Sequence, residues 1–313
     1  MAPLAKARLQ IHVCVVLWGF TAILGKLISL AALPLVLWRM TIVVAALALV
    51  PRVWRALRAL PLRLAAAYAG IGVLVALHWL TFYGAVKLAN ASVAATCMAL
   101  ATAFVAIVEP RIAGARFSVR DLALGVMIVP GVALVVGGVH EGMRIGIAVG
   151  ALSALLVALF GSLNKRLVTR ADPLAVTALE LGAGAIALCA MSPALGRIFP
   201  ELASDPFVLP NLRDAALLVT LALACTLLPF ALSLVALRHI SAFGAQLAVN
   251  LEPVYAILLA IPLLGEQREL TGLFYLGVAI ILAAVFAHPF LERPRRVEHA
   301  EVLATAEAKH VAD

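Results

Sequence analysis

Apolar stretches of about twenty residues, separated by short polar or proline-containing breaks, recur along the chain up to about residue 289. A bilayer core about 30 Å thick is crossed by about 20 apolar residues of helix. The pattern therefore predicts an all-α integral membrane protein with ten transmembrane helices. The predicted spans are residues 10–30, 33–50, 64–86, 90–109, 119–138, 145–165, 173–192, 211–235, 240–263 and 271–289.

Composition agrees with a lipid environment, since 65% of the residues are hydrophobic and 13% are charged, against about 25% charged in soluble domains. The net charge of +8 does not indicate a nucleic-acid partner, because the basic residues lie in small groups between apolar stretches, as loop anchors do. The stretch 11–33 is too long for a signal-peptide core and predicts a permanent first helix. The proline-rich segment 192–211 is the one break long enough to hold structure of its own. The charged and Ala-rich tail, 291–313, is expected to be solvated and partly disordered.

Lys and Arg residues alternate in density along the predicted loops. Clusters near 52–63, 111–120, 165–170 and 293–296 all fall on the side that also holds the N-terminus. The opposite loops hold fewer basic residues: Lys26, Lys87, Arg144, Arg197, Arg213 and Arg268. The positive-inside rule then predicts that both termini are cytoplasmic and that the number of spans is even.

The two halves of the chain match one another. Residues 84–114 align without gaps on 235–265, which places Lys87 on Arg238 and Gly114 on Gly265. Upstream, Lys26 and Pro34 match Lys165 and Pro173 at a second fixed offset. Each unit holds five spans, and an odd number inverts the second copy. We therefore predict a first repeat at 1–140, an inverted second repeat at 141–290 and a tail at 291–313. Inverted repeats are typical of secondary transporters with a midplane site, although a channel can share them.

Several motifs together resemble the drug/metabolite transporter superfamily, in its EamA-type ten-helix branch. The motifs are Trp18-Gly19 with Lys26, Pro34 followed by Trp38-Arg39, the run 236–242, and Leu251-Glu252-Pro253-Val254 leading to Leu264-Gly265-Glu266. Within the branch, the chain is most similar to YddG-type exporters of aromatic and other neutral amino acids. The first repeat departs from the pattern, with Thr102 opposite Pro253 and Gly114-Ala115 where the second has Gly-Glu.

The resemblance implies a bacterial inner-membrane secondary transporter, not an enzyme, that exports small neutral metabolites by alternating access. It implies no cofactor, and a monomer or weak homodimer that takes a small-molecule substrate. A broad drug or toxic-cation exporter is the alternative within transport, and a membrane-embedded enzyme or a sensor is a more distant one.

The ninth span carries the first group of candidate binding residues. Gln246, Asn250 and Pro253 share one helical face, and Glu252 places a carboxylate near the middle of the span, where an ionisable group is costly. Glu252 is a candidate for binding a substrate ammonium or a proton. The alternatives are a protonated structural carboxylate and amide hydrogen bonds that join helices.

The third span supplies His78, Trp79 and Tyr83, the last two one turn apart. They are candidates for stacking on an aromatic ligand and for binding a carboxylate or a proton. Packing in the core is the alternative for all three. Proton coupling through His78 or Glu252, and passive efflux, both stay open.

Further candidates are Trp18 in the first span, Thr102 in the fourth, and Phe160 and Asn164 in the sixth, with close helix packing as the alternative. Arg39 and Glu180 lie in the second and seventh spans, and the resemblance implies that these helices are nearer the periphery. Structural or interfacial snorkelling roles are therefore expected for both. Glu109, next to Pro110, is expected to be an interface feature at a helix end.

The sequence lacks several motifs that would indicate ATP use, a metal site or a phosphate substrate. The chain has no Walker motif, so ATP does not drive it directly, and no His or Cys pattern indicates a metal. Its four cysteines lie singly in apolar stretches. The span centres lack the pair of cations that a doubly charged phosphate needs, so neutral or zwitterionic substrates fit better.

Overall fold

The computed structural model describes residues 3–291, apart from 201, 204 and 269. Over these residues the chain is helical and contains no strand. The predicted tail lies outside the described residues, except for residue 291. The helices of the first half are α1 Pro3–Leu27, α2 Ala32–Ala48, α3 Pro51–Arg58, α4 Leu62–Leu88, α5 Ala91–Cys97, α6 Leu100–Ala113 and α7 Val119–Gly137. Those of the second half are α8 Arg144–Leu167, α9 Pro173–Ile198, α10 Leu212–Ala222, α11 Leu228–Ala236, α12 Ala242–Val249, α13 Glu252–Leu264 and α14 Gly272–Leu291.

Seven helical stretches in the described chain are long and apolar enough to cross a membrane, or eight if α2 and α3, bent by 93°, count as one. This length and composition confirm an all-helical protein with several membrane-spanning helices. All ten predicted spans overlap helices. The count of ten membrane crossings and the cytoplasmic position of the termini stay predictions.

Two spans predicted to be continuous are broken in the middle. The fourth span is α5 followed by α6, interrupted at residues 98–99, and the ninth is α12 followed by α13, interrupted at 250–251. Pro253 lies in the first turn of α13, where a missing N–H is tolerated. The break in α5–α6 has no proline, so its position could not be read from the sequence.

The boundary predicted at residue 192 is wrong, because α9 continues to Ile198 with Pro193 inside it. The chain that follows folds back over α2: the Leu33 amide donates to the Leu202 carbonyl at 3.0 Å. The Trp38 indole N–H donates to the Val208 carbonyl at 2.9 Å. The long break therefore holds the start of α2 in place.

Equivalent residues of the two halves make equivalent contacts. Gly114 and Gly265 end α6 and α13 with φ of 71° and 69°, a left-handed conformation that favours glycine. Lys87 donates to the Ile28 carbonyl after α1, and Arg238 donates to the Val168 carbonyl after α8. The duplication predicted from the sequence is thus visible in the fold.

These two contacts mark opposite ends of the bundle, called here the Lys87 end and the Arg238 end. The Tyr68 hydroxyl, near the start of α4, donates to the Leu167 carbonyl at 2.8 Å, and Leu167 is next to the residue that Arg238 binds. Lys87 lies at the other end of α4, whose 27 residues extend about 40 Å at about 1.5 Å per residue. The second half is therefore inverted relative to the first.

The fourth and ninth spans, called here the crossing pair, run antiparallel, with a buried carboxylate joining them at each end. At the Lys87 end, Glu266 accepts from the amides of Ala91 and Ser92, both at 3.0 Å, and from the Ser92 hydroxyl at 2.5 Å. At the Arg238 end, Glu109 accepts from the amides of Ala242 and Phe243, both at 2.7 Å. Each carboxylate caps a helix N-terminus of the other repeat, where negative charge is favourable. We call these contacts the Glu266 cap and the Glu109 cap.

Candidate functional site

A central cavity of about 140 Å³ lies between the two repeats. Its wall is mainly apolar and aromatic, with a few polar side chains, as is typical of small-molecule sites. Seven of the residues predicted from the sequence line it: Trp18, His78, Trp79, Phe160, Asn164, Gln246 and Glu252. The structure therefore brings most of the predicted residues of both repeats to one place.

Four predicted residues, Tyr83, Thr102, Asn250 and Pro253, lie outside the cavity lining. The Asn250 amide donates to the Thr102 hydroxyl at 2.7 Å, and this contact joins the crossing pair near its breaks. Tyr83 is fully buried and accepts a hydrogen bond from Arg39. Pro253 is buried in the first turn of α13. These residues support the cavity from behind its wall.

Arg39 is the main cavity residue that the sequence reasoning missed. Its peripheral, snorkelling role is wrong, because the residue is 2% exposed and lines the cavity. Its Nε donates to Thr226 Oγ1 at 2.5 Å and its Nη1 to Tyr83 Oη at 2.8 Å, and its guanidinium carbon lies 3.8 Å from the centre of the Trp79 ring. Hydrogen bonds and a cation–π contact thus hold the charge in place. The available signal was its position halfway along an apolar span.

Glu252 supplies a carboxyl group to the same cavity from the other repeat. Salt bridges within the described residues join Arg52 to Asp172 and Arg144 to Glu141, and neither Arg39 nor Glu252 takes part in one. The cavity therefore contains a guanidinium and a carboxyl group that form no salt bridge with each other. A ligand that offers an anionic group to Arg39 and a cationic group to Glu252 makes charge-assisted contacts with both.

His78 links the repeats at the cavity wall. Its Nδ1 lies 2.8 Å from the Ser153 hydroxyl and 3.0 Å from the Ser153 carbonyl on α8, and its ring lies 5.4 Å from that of Phe160. One ring nitrogen is thus committed to α8. His78 and Phe160 form a polar and an aromatic element of the same wall.

Two other cavity residues have unsatisfied amide atoms. Gln246 Nε2 and Asn164 Oδ1 are buried and have no hydrogen-bond partner among the described residues. Leaving a buried polar atom unpaired costs about 1–3 kcal/mol. A ligand that supplies an acceptor for Gln246 and a donor for Asn164 recovers this free energy.

Glu180 lies behind Asn164, so its predicted position nearer the periphery is wrong, whereas a structural role is not contradicted. The residue is fully buried, and Asn164 Nδ2 donates to Glu180 Oε2 at 3.2 Å. The sequence placed this carboxylate in a span but gave no indication of the neighbour that binds it.

A second, polar space of about 620 Å³ opens at the Arg238 end. Its walls carry charged side chains, and it meets the central cavity at Val105, which lines both. The Glu109 cap lies between the two spaces. We call this space the vestibule; its charged lining residues are Glu109, Arg116, Asp121, Lys165 and Arg238.

Comparison with known proteins identifies this architecture. A model of the EamA-like transporter family matches the chain twice, over residues 6–137 and 144–287. The chain belongs to the EamA-like transporter family. The two matches to one model confirm the duplication, and the family together with the apolar helices shows that this EamA-like protein is a multi-pass membrane protein of a transporter, not an enzyme, family.

A solved structure described as "Crystal structure of protein" has a similar fold, with a TM-score of 0.67 and 18% sequence identity. The similarity covers 94% of this EamA-like chain and 99% of the other, and at this identity it establishes the fold alone. No curated protein sequence matches the chain.

Proposed function

We propose that the protein is a secondary transporter that exports neutral amino acids with a large apolar side chain across the bacterial inner membrane. The observation that carries this proposal is that Arg39 and Glu252 bring a guanidinium and a carboxyl group to one aromatic cavity without forming a salt bridge among the described residues. A zwitterion offers a carboxylate to Arg39 and an ammonium to Glu252, and both are charge-assisted contacts. Its side chain packs against Trp79 and Phe160.

The size of the cavity favours a small substrate. A cavity of about 150 Å³ is known to hold benzene, and this one measures about 140 Å³. A side chain with one aromatic ring fits that space, whereas a multi-ring drug does not fit without further opening. Binding of a toxic organic cation is further disfavoured, because the Arg39 guanidinium in the cavity carries the same charge and repels it.

Alternating access fits the inverted halves. The cavity lies between two antiparallel copies of one unit, and rocking of such copies about a fixed site is the mechanism expected for inverted repeats. With the Arg238 end cytoplasmic, as the positive-inside rule predicts, substrate enters through the vestibule and leaves at the Lys87 end.

The test is transport of labelled Phe, Trp and Met into vesicles reconstituted with the purified protein. We expect saturable uptake, inhibited by unlabelled Phe and much less by phenethylamine, which lacks the carboxylate, or by 3-phenylpropionate, which lacks the ammonium. Arg39→Gln is expected to remove the preference for Phe over phenethylamine, and Glu252→Gln the preference over 3-phenylpropionate. Each loss is about tenfold, since a charge-assisted hydrogen bond is worth about 1.5–3 kcal/mol.

The matched control is Arg55→Gln, which removes an exposed arginine of α3 and is expected to leave the selectivity unchanged. Selectivity ratios also separate binding from folding, because a fall in the amount of folded protein lowers all three ligands together. Absence of saturable uptake of all three amino acids contradicts the proposal. Strong inhibition by phenethylamine in the unmodified protein favours the cation exporter instead.

A further inference from the structure

Glu180 and Asn164 form a buried pair in which one oxygen of each residue has no hydrogen-bond donor. Asn164 Nδ2 donates to Glu180 Oε2 at 3.2 Å. The two remaining oxygens of the pair, Glu180 Oε1 and Asn164 Oδ1, are buried and have no partner among the described residues. Both are acceptors, so neither can satisfy the other while Glu180 is ionised.

A single proton resolves this arrangement. If Glu180 is a carboxylic acid protonated on Oε1, its O–H donates to Asn164 Oδ1 while Asn164 Nδ2 continues to donate to Oε2. Both unpaired acceptors are then satisfied, and no net charge is buried. An ionised carboxylate at this depth, without a cation, is far more costly. We propose that Glu180 and Asn164 form a proton-binding site that couples proton movement to amino-acid export.

No basic side chain forms a salt bridge with Glu180 from the helices described around it, which are α2, α3, α4 and α11 and, through Asn164, α8. On α2, Arg39 is bound to Thr226 and Tyr83. On α8, Lys165 donates to the Leu237 carbonyl at 2.6 Å. Neither cation forms a salt bridge with Glu180 among the described residues.

The remaining neighbouring helices give the same result. On α3, Arg52 pairs with Asp172, and Arg55 and Arg58 are exposed.

On α4, Tyr68 is close enough to Glu180 for electrostatic coupling, but its hydroxyl proton is donated to the Leu167 carbonyl. The other titratable groups of α4 are His78, bound to Ser153, Tyr83, bound to Arg39, Lys87 at its far end, and Arg63, exposed at its start. Helix α11 carries no titratable residue.

Close packing of α4 against α9 closes one side of Glu180, so Glu180 is connected to the cavity through Asn164. Helices α4 and α9 approach so closely that a Cβ on Gly72 would meet the Glu180 backbone. A Cβ on Gly184 would lie 2.6 Å from the Gly72 carbonyl oxygen. This contact excludes water from the α4 side of Glu180. Asn164, in contrast, lines the cavity.

Coupling follows from competition for one acceptor. Asn164 Oδ1 accepts from the Glu180 acid when the cavity is empty, and a substrate ammonium, with three N–H donors, competes for the same oxygen. When the ammonium displaces the acid, the Glu180 O–H bond breaks, its electron pair stays on the carboxylate, and the proton passes to water on the open side. Substrate and proton then alternate on the site, which makes the exporter an antiporter. This coupling rests on the proposed function, whereas the proton site itself does not.

The proton site is tested without substrate, by infrared difference spectroscopy of the purified full-length protein during a pH titration. We expect a carbonyl-stretch band of a protonated carboxylic acid that disappears as the pH rises and is absent from Glu180→Gln. The variant is isosteric, because its amide donates to Asn164 Oδ1 and accepts from Nδ2, as the protonated acid does. The control Glu141→Gln removes an exposed carboxylate and is expected to retain the band.

A second variant keeps the test valid if Glu180→Gln folds poorly. Asn164→Leu retains the acid but removes its partner, so the band is expected to persist at a shifted frequency. A band that Glu180→Gln leaves in place overturns the proton site. A band that Asn164→Leu leaves unshifted overturns the pairing.

Coupling is tested in vesicles with an acidic interior. One proton exchanged per substrate supports about tenfold accumulation of labelled Phe for each pH unit. We expect Glu180→Gln to lose this accumulation while retaining counterflow of Phe at equal pH on both sides. Accumulation that survives in the variant overturns the coupling. Absence of counterflow in the unmodified protein overturns the proposed function and the coupling with it, and the infrared result then decides the proton site alone.

Discussion

A buried carboxylate joins the two helices at each end of the crossing pair, but the two carboxylates accept different numbers of hydrogen bonds. At the Lys87 end, Glu266 accepts from two amides and the Ser92 hydroxyl. At the Arg238 end, Glu109 accepts from two amides and borders the polar vestibule. Lys165 lies close enough to Glu109 for electrostatic coupling, so this carboxylate has an alternative partner nearby.

The comparison indicates which end opens more readily. An N-terminal cap with fewer donors, beside water and a competing cation, is easier to separate than one with three donors. We therefore expect the Arg238 end to open first, which agrees with entry of an exported substrate from the cytoplasm. Alternating access then requires one cap to break while the other stays formed.

A cysteine in the cavity can report on each end separately. Ser233 lines the cavity and differs from Cys only in its γ atom. The reporter variant is Ser233→Cys after replacement of the native Cys14, Cys97, Cys189 and Cys225. A membrane-impermeant maleimide applied from one side or the other measures which end is open.

The largest effect is expected from Glu266→Ala. This variant leaves three donors of α5 unpaired, and each charge-assisted hydrogen bond is worth about 1.5–3 kcal/mol. Labelling of the reporter from the Lys87 side should rise by about tenfold or more, while labelling from the Arg238 side falls. Unchanged labelling from the Lys87 side would show that the Glu266 cap does not control that end.

A smaller effect is expected from Glu109→Ala. Labelling from the Arg238 side should rise, but by a smaller factor than in Glu266→Ala, because this end already opens more readily in the unmodified protein. The matched control is Glu141→Gln, an exposed carboxylate outside both caps. A larger increase for Glu109→Ala than for Glu266→Ala would reverse the order of the two ends.

The smallest effect is expected from Ser92→Ala, which reduces the Glu266 cap to two amide donors and so makes the caps alike. The lost hydrogen bond is one of three to Glu266, and the two amide donors keep theirs, so the free-energy effect on labelling from the Lys87 side should be about a third of that of Glu266→Ala. Thr220→Val, which removes an exposed hydroxyl bonded within its own helix, is the control. An effect as large as that of Glu266→Ala would mean that the hydroxyl alone maintains the cap.

The sequence predicted the helical class, the duplication and seven residues of the cavity wall, because these depend on local patterns. Apolar length identifies a span, and a gapless match identifies a repeat. His78, Trp79 and Glu252 were recognised because each is unusual within an apolar stretch. All three line the cavity.

The caps and the partners of Arg39 could not be predicted, since each depends on which helix lies opposite. Glu109 and Glu266 are not at equivalent positions of the two repeats: the match places Ala115 opposite Glu266. A comparison of motifs therefore finds one carboxylate missing, whereas the fold supplies it six residues earlier, from within α6. Glu109 therefore takes in the first repeat the role that Glu266 has in the second, although the position aligned with Glu266 holds an alanine.

The π-helical turn at Leu223–Leu227, between α10 and α11, has a geometric consequence. Thr226 Oγ1 donates to the Leu221 carbonyl, five residues back, at 2.6 Å and accepts from Arg39. One residue more than an α-helical turn rotates everything downstream by about 100° around the axis. Phe230 and Ser233 follow this turn and line the cavity, so deleting Ala224 is expected to rotate both side chains away from the cavity without changing either residue.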